Sequence, residues 1–219
     1  MKEDVLEQVV DDYLKFRGYF TIHNVSFKPS VAAADYEASK DRVPSDVDVV
    51  GFHPREGGID KVVVVSCKSW QSGFDADYWL DLLKGEKKVG KRYTWQSFRD
   101  LWVPQWSQAF RDKVYELTGA RVFAYRIAVT DLRGSTDAWS ENPRIAQNLP
   151  GCSVGFLPLS TIWATLLTEL TTRPAASEIG RLAQLLKAAG LTAPEVVAEP
   201  SGPAPGSEAA LVEEAEIDE

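Results

Sequence analysis

The run KVVVVSCKSW, Lys61 to Trp70, constrains this chain more than any other stretch. Its unbroken valines have no polar face to offer water, and β-branched side chains favour the pleated strand over the helix. It therefore reads as a buried strand. SDVDVVGF, Ser45 to Phe52, reads as the preceding strand, and HPREGGID between them carries a Gly57-Gly58 pair suited to a turn. The pair predicts a hairpin whose far end leaves the apolar run and becomes polar.

Helices and further strands surround the hairpin. Val5, Leu6, Val9, Val10, Tyr13 and Leu14 recur at helical spacing, with Gly18 as the stop. YFTIHNVSF predicts a first strand, and the long connection KPSVAAADYEASKDRVP predicts a loop with one helical turn. TWQSFRDLWVPQWSQAFRDKVYELTG is helical in pattern but must break at Pro104, which has no amide proton to donate. RVFAYRIAVT and CSVGFLP predict two more strands, and LSTIWATLLTEL and SEIGRLAQLLKAAG two closing helices. The expected class is α/β, with a central mixed sheet flanked by helices.

With 219 residues, the chain suits one such domain, assigned to residues 1–192. Residues 193–219 are expected to form a disordered acidic tail, because they are rich in Pro, Gly, Ser and Glu and poor in apolar side chains. The net charge of −8 belongs to that tail, which has eight acids and no base, so 24 acids face 24 bases in the body. Overall acidity therefore does not exclude a nucleic-acid partner. No apolar run approaches the length of a membrane span, and the start lacks a secretory core, so a cytoplasmic setting is expected. Cys67 and Cys152 are too few for a disulfide framework or a structural zinc site.

The polar end of the hairpin carries the chemistry. Alternation places Ser66 and Lys68 on one face of their strand and Cys67 on the other, while Asp46 and Asp48 share a face of theirs. A carboxylate beside an ammonium at the end of a buried hairpin suits a divalent cation and a water next to a phosphate. Hard oxygens hold the metal, the metal lowers the water's pKa, and the ammonium offsets developing charge. A serine-lysine hydrolase is disfavoured, because no oxyanion signature or nucleophile elbow accompanies the pair.

At these residues the chain resembles the PD-(D/E)xK nuclease superfamily, particularly Mrr-type restriction endonucleases and Holliday-junction-resolvase-like enzymes. The matching pieces are LEQVVDDYLKFRGYF with Glu7, SDVDVVGF with Asp48 and VVVVSCKSW with Lys68. The resemblance spans Glu3 to Trp70, with looser agreement to Thr130. It implies a restriction-endonuclease-like fold and a Mg²⁺- or Mn²⁺-dependent endonuclease acting on nucleic acid, with DNA as the expected substrate. It further implies catalytic Asp48, Lys68, Ser66 and Glu7, with Asp48, Glu7 and Asp46 as metal ligands. The family's usual acid at the first position of the third-strand signature is Ser66 here, and Asp46, Asp75 or Asp77 are the candidates to replace it. A nuclease-fold module that binds DNA or protein without cleaving is the alternative.

The segment KGEKKVGKRYTWQSFR, just downstream, interleaves bases with Tyr93 and Trp95. Lys87, Lys88, Lys91 and Arg92 are expected to meet phosphates while the rings stack on bases. Gln71 is expected to hydrogen-bond phosphate or a metal-bound water, and SWQSGFDADYWLDLL to wall or flap the site. A homodimer is compatible with this reading, and a membrane partner is not expected.

Overall fold

The computed structural model describes residues 4–32 and 35–191, so the tail assigned to residues 193–219 lies outside the described part. The chain opens with α1 (Val5–Phe16), capped by the Asp4 side chain, which accepts from the Leu6 amide. Gly18, at φ +89°, takes the left-handed turn out of the helix that a side chain would resist. Then follow β1 (Phe20–Phe27), the single turn α2 (Ala38–Asp41), β2 (Ser45–Phe52) and β3 (Val62–Lys68).

Beyond β3 come the short β4 (Phe74–Asp75), α3 (Ala76–Lys84), and the small ribbon of β5 (Lys88–Val89) with β6 (Arg92–Tyr93). A 3-10 segment over Thr94–Phe98 leads into α4 (Arg99–Trp102), and α5 (Pro104–Thr118) starts anew at the proline, where an amide proton is dispensable. The remainder comprises β7 (Ala124–Val129), β8 (Leu132–Arg133), α6 (Asp137–Ser140), α7 (Pro143–Asn148), β9 (Ser153–Pro158), α8 (Leu159–Glu169) and α9 (Glu178–Ala188).

The central sheet has five strands in the order β1-β2-β3-β7-β9. Pairing is antiparallel from β1 to β3 and parallel from β3 to β9, so the sheet is mixed, as expected. Helices cover both faces, which explains the valine run. Val62 and Val64 join a core with Trp79, Leu101, Trp106 and Phe110 from α3, α4 and α5. Val63 and Val65 pack instead with Leu6, Val10, Ile162 and Leu166 from α1 and α8. Each such valine removed from water contributes about 1.5–3 kcal/mol.

One expectation needs correcting. SWQSGFDADYWLDLL is not a flap: Asp75 caps α3 by accepting from the Tyr78 amide at 3.0 Å, and Trp79 is buried in the core. No helix among the described residues is long and apolar enough to cross a membrane.

Candidate functional site

Strand pairing makes the site. β2 stays paired with β1 as far as Ser45–Phe27, and β3 stays paired with β7 as far as Lys68–Val129. Between β2 and β3 the ladder stops at Val49–Val65. The sheet forks there. Beyond the fork the Cys67 amide donates to the Asp48 carboxylate, so a side chain does what a strand carbonyl would do in a continuing ladder.

A polar cavity of about 650 Å³ lies at this fork. Asp46 and Asp48 line it from β2, Ser66, Cys67 and Lys68 from β3, and Glu7 from the first turn of α1. The residues expected to converge do share one cavity, but Cys67, expected on the other face, lines it too, and Val47 and Val50 pack into one core, so strict alternation fails around Asp48. Trp70 also lines the cavity, so part of the expected wall is present. Cys67 packs toward α1, and burial pushes its thiol far above the ordinary range, which leaves it inert as a nucleophile.

The helical side supplies what the sequence did not reveal. Asp100, from α4, is buried and lines the same cavity. Its carboxylate accepts from the Tyr125 hydroxyl, and Ser66, on the neighbouring strand β3, partly offsets the rise that burial imposes on the Tyr125 phenol. Ser66, Tyr125 and Asp100 thus form one linked group beneath the site. Lys68 is half-buried, with its ammonium 5.5 Å from the centre of the Phe98 ring.

Electrostatics tie these groups together. Burial pushes the Asp48 carboxyl above its ordinary range; the Lys68 ammonium and the Cys67 amide oppose the shift, whereas Asp46 and Asp100 add to it. Burial likewise raises Asp100, against the Tyr125 hydroxyl and Lys68. The Lys68 ammonium thus opposes the upward shift of both Asp48 and Asp100. Arg99 also reaches the cavity, with its guanidinium 4.5 Å over the Trp106 ring, and burial lowers its pKa.

Other expected residues fall elsewhere. Asp75 caps α3 and Asp77 accepts from the Ser135 amide at 2.9 Å, so neither lines the cavity. Gln71 is exposed and reaches its own turn, at 3.4 Å from the Ser69 carbonyl. Of the four basic residues, Arg92 lines the cavity, while exposed Lys87, Lys88 and Lys91 stand on or beside the β5–β6 ribbon.

The donor set fits a cation that prefers oxygen and keeps much of its water. Magnesium is commonly held by one or two carboxylates plus phosphate oxygens, and Asp48 with Asp46 or Asp100 offers that number. Among the described residues no group of three or more His, Cys, Asp or Glu is arranged to enclose a metal ion. No family model matches this chain, and neither does any curated protein or solved structure.

Proposed function

We propose that this chain is a nuclease of restriction-endonuclease-like fold, a metal-dependent endonuclease that hydrolyses phosphodiesters in nucleic acid, with DNA as the preferred substrate. One observation carries the reading: a forked sheet gathers Asp48, Lys68 and Ser66 in one open cavity with Asp46 and Glu7. This geometry and the PD-(D/E)xK resemblance support each other.

In this reading Asp48, aided by Asp46 and Glu7, would hold Mg²⁺ or Mn²⁺, which when bound would supply Lewis-acid chemistry at the phosphate. Lys68 places its ammonium beside the phosphate, where charge grows as water attacks phosphorus and the sugar oxygen leaves. Phe98 keeps that ammonium from wandering, and Arg92 and Arg99 bind flanking phosphate oxygens. The Ser66 hydroxyl, committed to Tyr125, orders the floor of the cavity rather than holding metal.

The test is nicking of supercoiled plasmid with Mg²⁺ or Mn²⁺, comparing wild type with Asp48→Asn and Lys68→Ala. Cleavage by wild type that either variant abolishes, with folding intact by circular dichroism, supports the reading. A folded wild type that cuts neither plasmid nor single strands with either metal overturns it. The second reading, a nuclease-fold module that binds without cutting, is favoured by Ser66 standing where the family has an acid. Neutralising Lys87, Lys88, Lys91 and Arg92 together should lower the salt slope of DNA binding by about one unit per lost phosphate contact. An unchanged slope would place the nucleic-acid surface elsewhere.

A further inference from the structure

A second cavity, of about 330 Å³, lies beside the first and is lined by Tyr93, Trp95, Trp102, Gln105 and Arg144 among others. One short segment separates the two. Arg92 and Gln96 face the forked-sheet cavity, whereas Tyr93 and Trp95, in the same stretch, face the second. The segment is firmly held: the Gln96 side chain accepts from the Tyr93 amide at 2.8 Å, and both the amide and the hydroxyl of Thr94 donate to the Lys87 carbonyl.

The lining is aromatic with a polar edge. The rings of Tyr93 and Trp95 are nearly parallel, at 21°, with centroids 6.2 Å apart, and Tyr93 is 42% exposed. Trp102 is 4% exposed, and its indole N–H finds no hydrogen-bond partner among the described residues. A buried donor without a partner costs about 1–3 kcal/mol, and Trp79 in the core carries another, so the Trp102 N–H reports on the cavity wall without selecting a ligand by itself. Arg144 stacks on that indole, 4.6 Å from the ring, and donates to the Trp102 carbonyl at 2.9 Å.

We infer that this second cavity receives an unstacked nucleobase next to the phosphate that Lys68, Arg92 and Arg99 face in the first cavity; the inference rests on the nucleic-acid reading of that cavity. The base stacks on Tyr93 and Trp95, as aromatic platforms hold single-stranded bases, and its ring nitrogens and carbonyls meet Trp102, Gln105 and Arg144. The lining has no surplus of positive charge to draw a second phosphate: Glu37, Asp41 and Glu86 stand against Lys40 and Arg144, with Lys40 paired to Glu37 at 2.8 Å.

The experiment uses the full chain without divalent metal, so that nothing is cut. Affinities are measured for a single-stranded DNA hexamer and for a hexamer with the same backbone and abasic sites throughout, while the indole N–H signals are followed by NMR. The inference expects the base-bearing hexamer to bind about tenfold more tightly, Tyr93→Ala to remove most of that advantage, and the abasic hexamer to be indifferent to Tyr93→Ala. The Trp102 indole signal should move with the base-bearing strand and stay with the abasic one, a readout that needs no variant. Equal affinities with an unmoved Trp102 signal would overturn the inference; if Lys68→Ala then weakened both strands, the reading of the first cavity would stand. Binding of neither strand by the wild type would overturn the inference, and the reading of the first cavity would then be decided by the plasmid assay with metal.

Discussion

The hairpin of β2 and β3 has two ends made from the same two strands, and they behave as opposites. From Val49 to Phe52 the strands pair residue by residue with Val62 to Val65, and the side chains are buried on both faces. From Asp48 to Ser45 they part company, each strand stays with its outer neighbour, and the side chains between them are polar. The closed end is where burial stabilises the fold, and the open end is where burial raises the free energy of charged groups. Folding supplies the rigidity at one end that lets unfavourable chemistry be held at the other.

The contrast can be broken most severely at the closed end. Val64→Asp puts an unpaired charge among Trp106, Phe110 and their neighbours, and should cost at least ~3–5 kcal/mol, read as a collapse of the urea midpoint or loss of the folded form. At the open end, Lys68→Ala should leave the urea midpoint close to that of wild type while lowering cleavage about 10²–10³-fold. If Lys68→Ala instead unfolded the protein, the division between the two ends would be wrong.

Ser66 sits at the boundary and tests where the division falls. Ser66→Glu forces a longer anionic side chain into a buried position linked through Tyr125 to Asp100, and should cost ~1–3 kcal/mol. Adding Asp100→Asn should recover part of that loss, and a double-mutant cycle on the urea midpoints measures the coupling. Additive effects would mean that the two positions do not share one cluster.

The smallest expected effect is the most diagnostic. Asp48 has a raised folded-state pKa, so the folded chain holds that proton more tightly than the unfolded chain does. Its favourable contribution is complete below the ordinary carboxyl value of 3.8 and is lost as pH rises through the higher folded value. Asp48→Asn should therefore melt about 2–4 °C higher than wild type at neutral pH, roughly 1 kcal/mol for a chain of this size, although it abolishes cleavage. The advantage should vanish as pH falls below 3.8. A melting temperature that drops on substitution at neutral pH would show that Lys68 and the Cys67 amide outweigh burial.

What the sequence made legible follows from how local each signal is. Strand alternation is a property of adjacent residues, so Asp46, Asp48, Ser66 and Lys68 could be placed on their shared side without knowing the fold. The proline break and the valine run were legible for the same reason. Asp100 was not, because nothing near it in FRDLWVP marks an acid as buried; its position is decided by Tyr125, a residue of another strand. In SWQSGFDADYWLDLL the local signal for α3 is Asp75, whose side chain caps the helix. The basic stretch was read as one patch, yet the tight β5–β6 ribbon turns Arg92 toward the cavity and leaves its lysines outside.

The break at Pro104 has a consequence beyond bending a helix. At the end of α4, the Leu101 carbonyl accepts from the Asn148 side chain and the Trp102 carbonyl from Arg144, each at 2.9 Å. Both donors belong to α7, a two-turn helix from a distant part of the chain that contributes nothing to the forked-sheet cavity. The four residues that carry Asp100 are thus moored crosswise to α7 as well as running lengthwise into α5. A change at Asn148 would be felt first as a tilt of Asp100, so the sequence of a remote helix becomes a tuning screw for the acid beside Lys68.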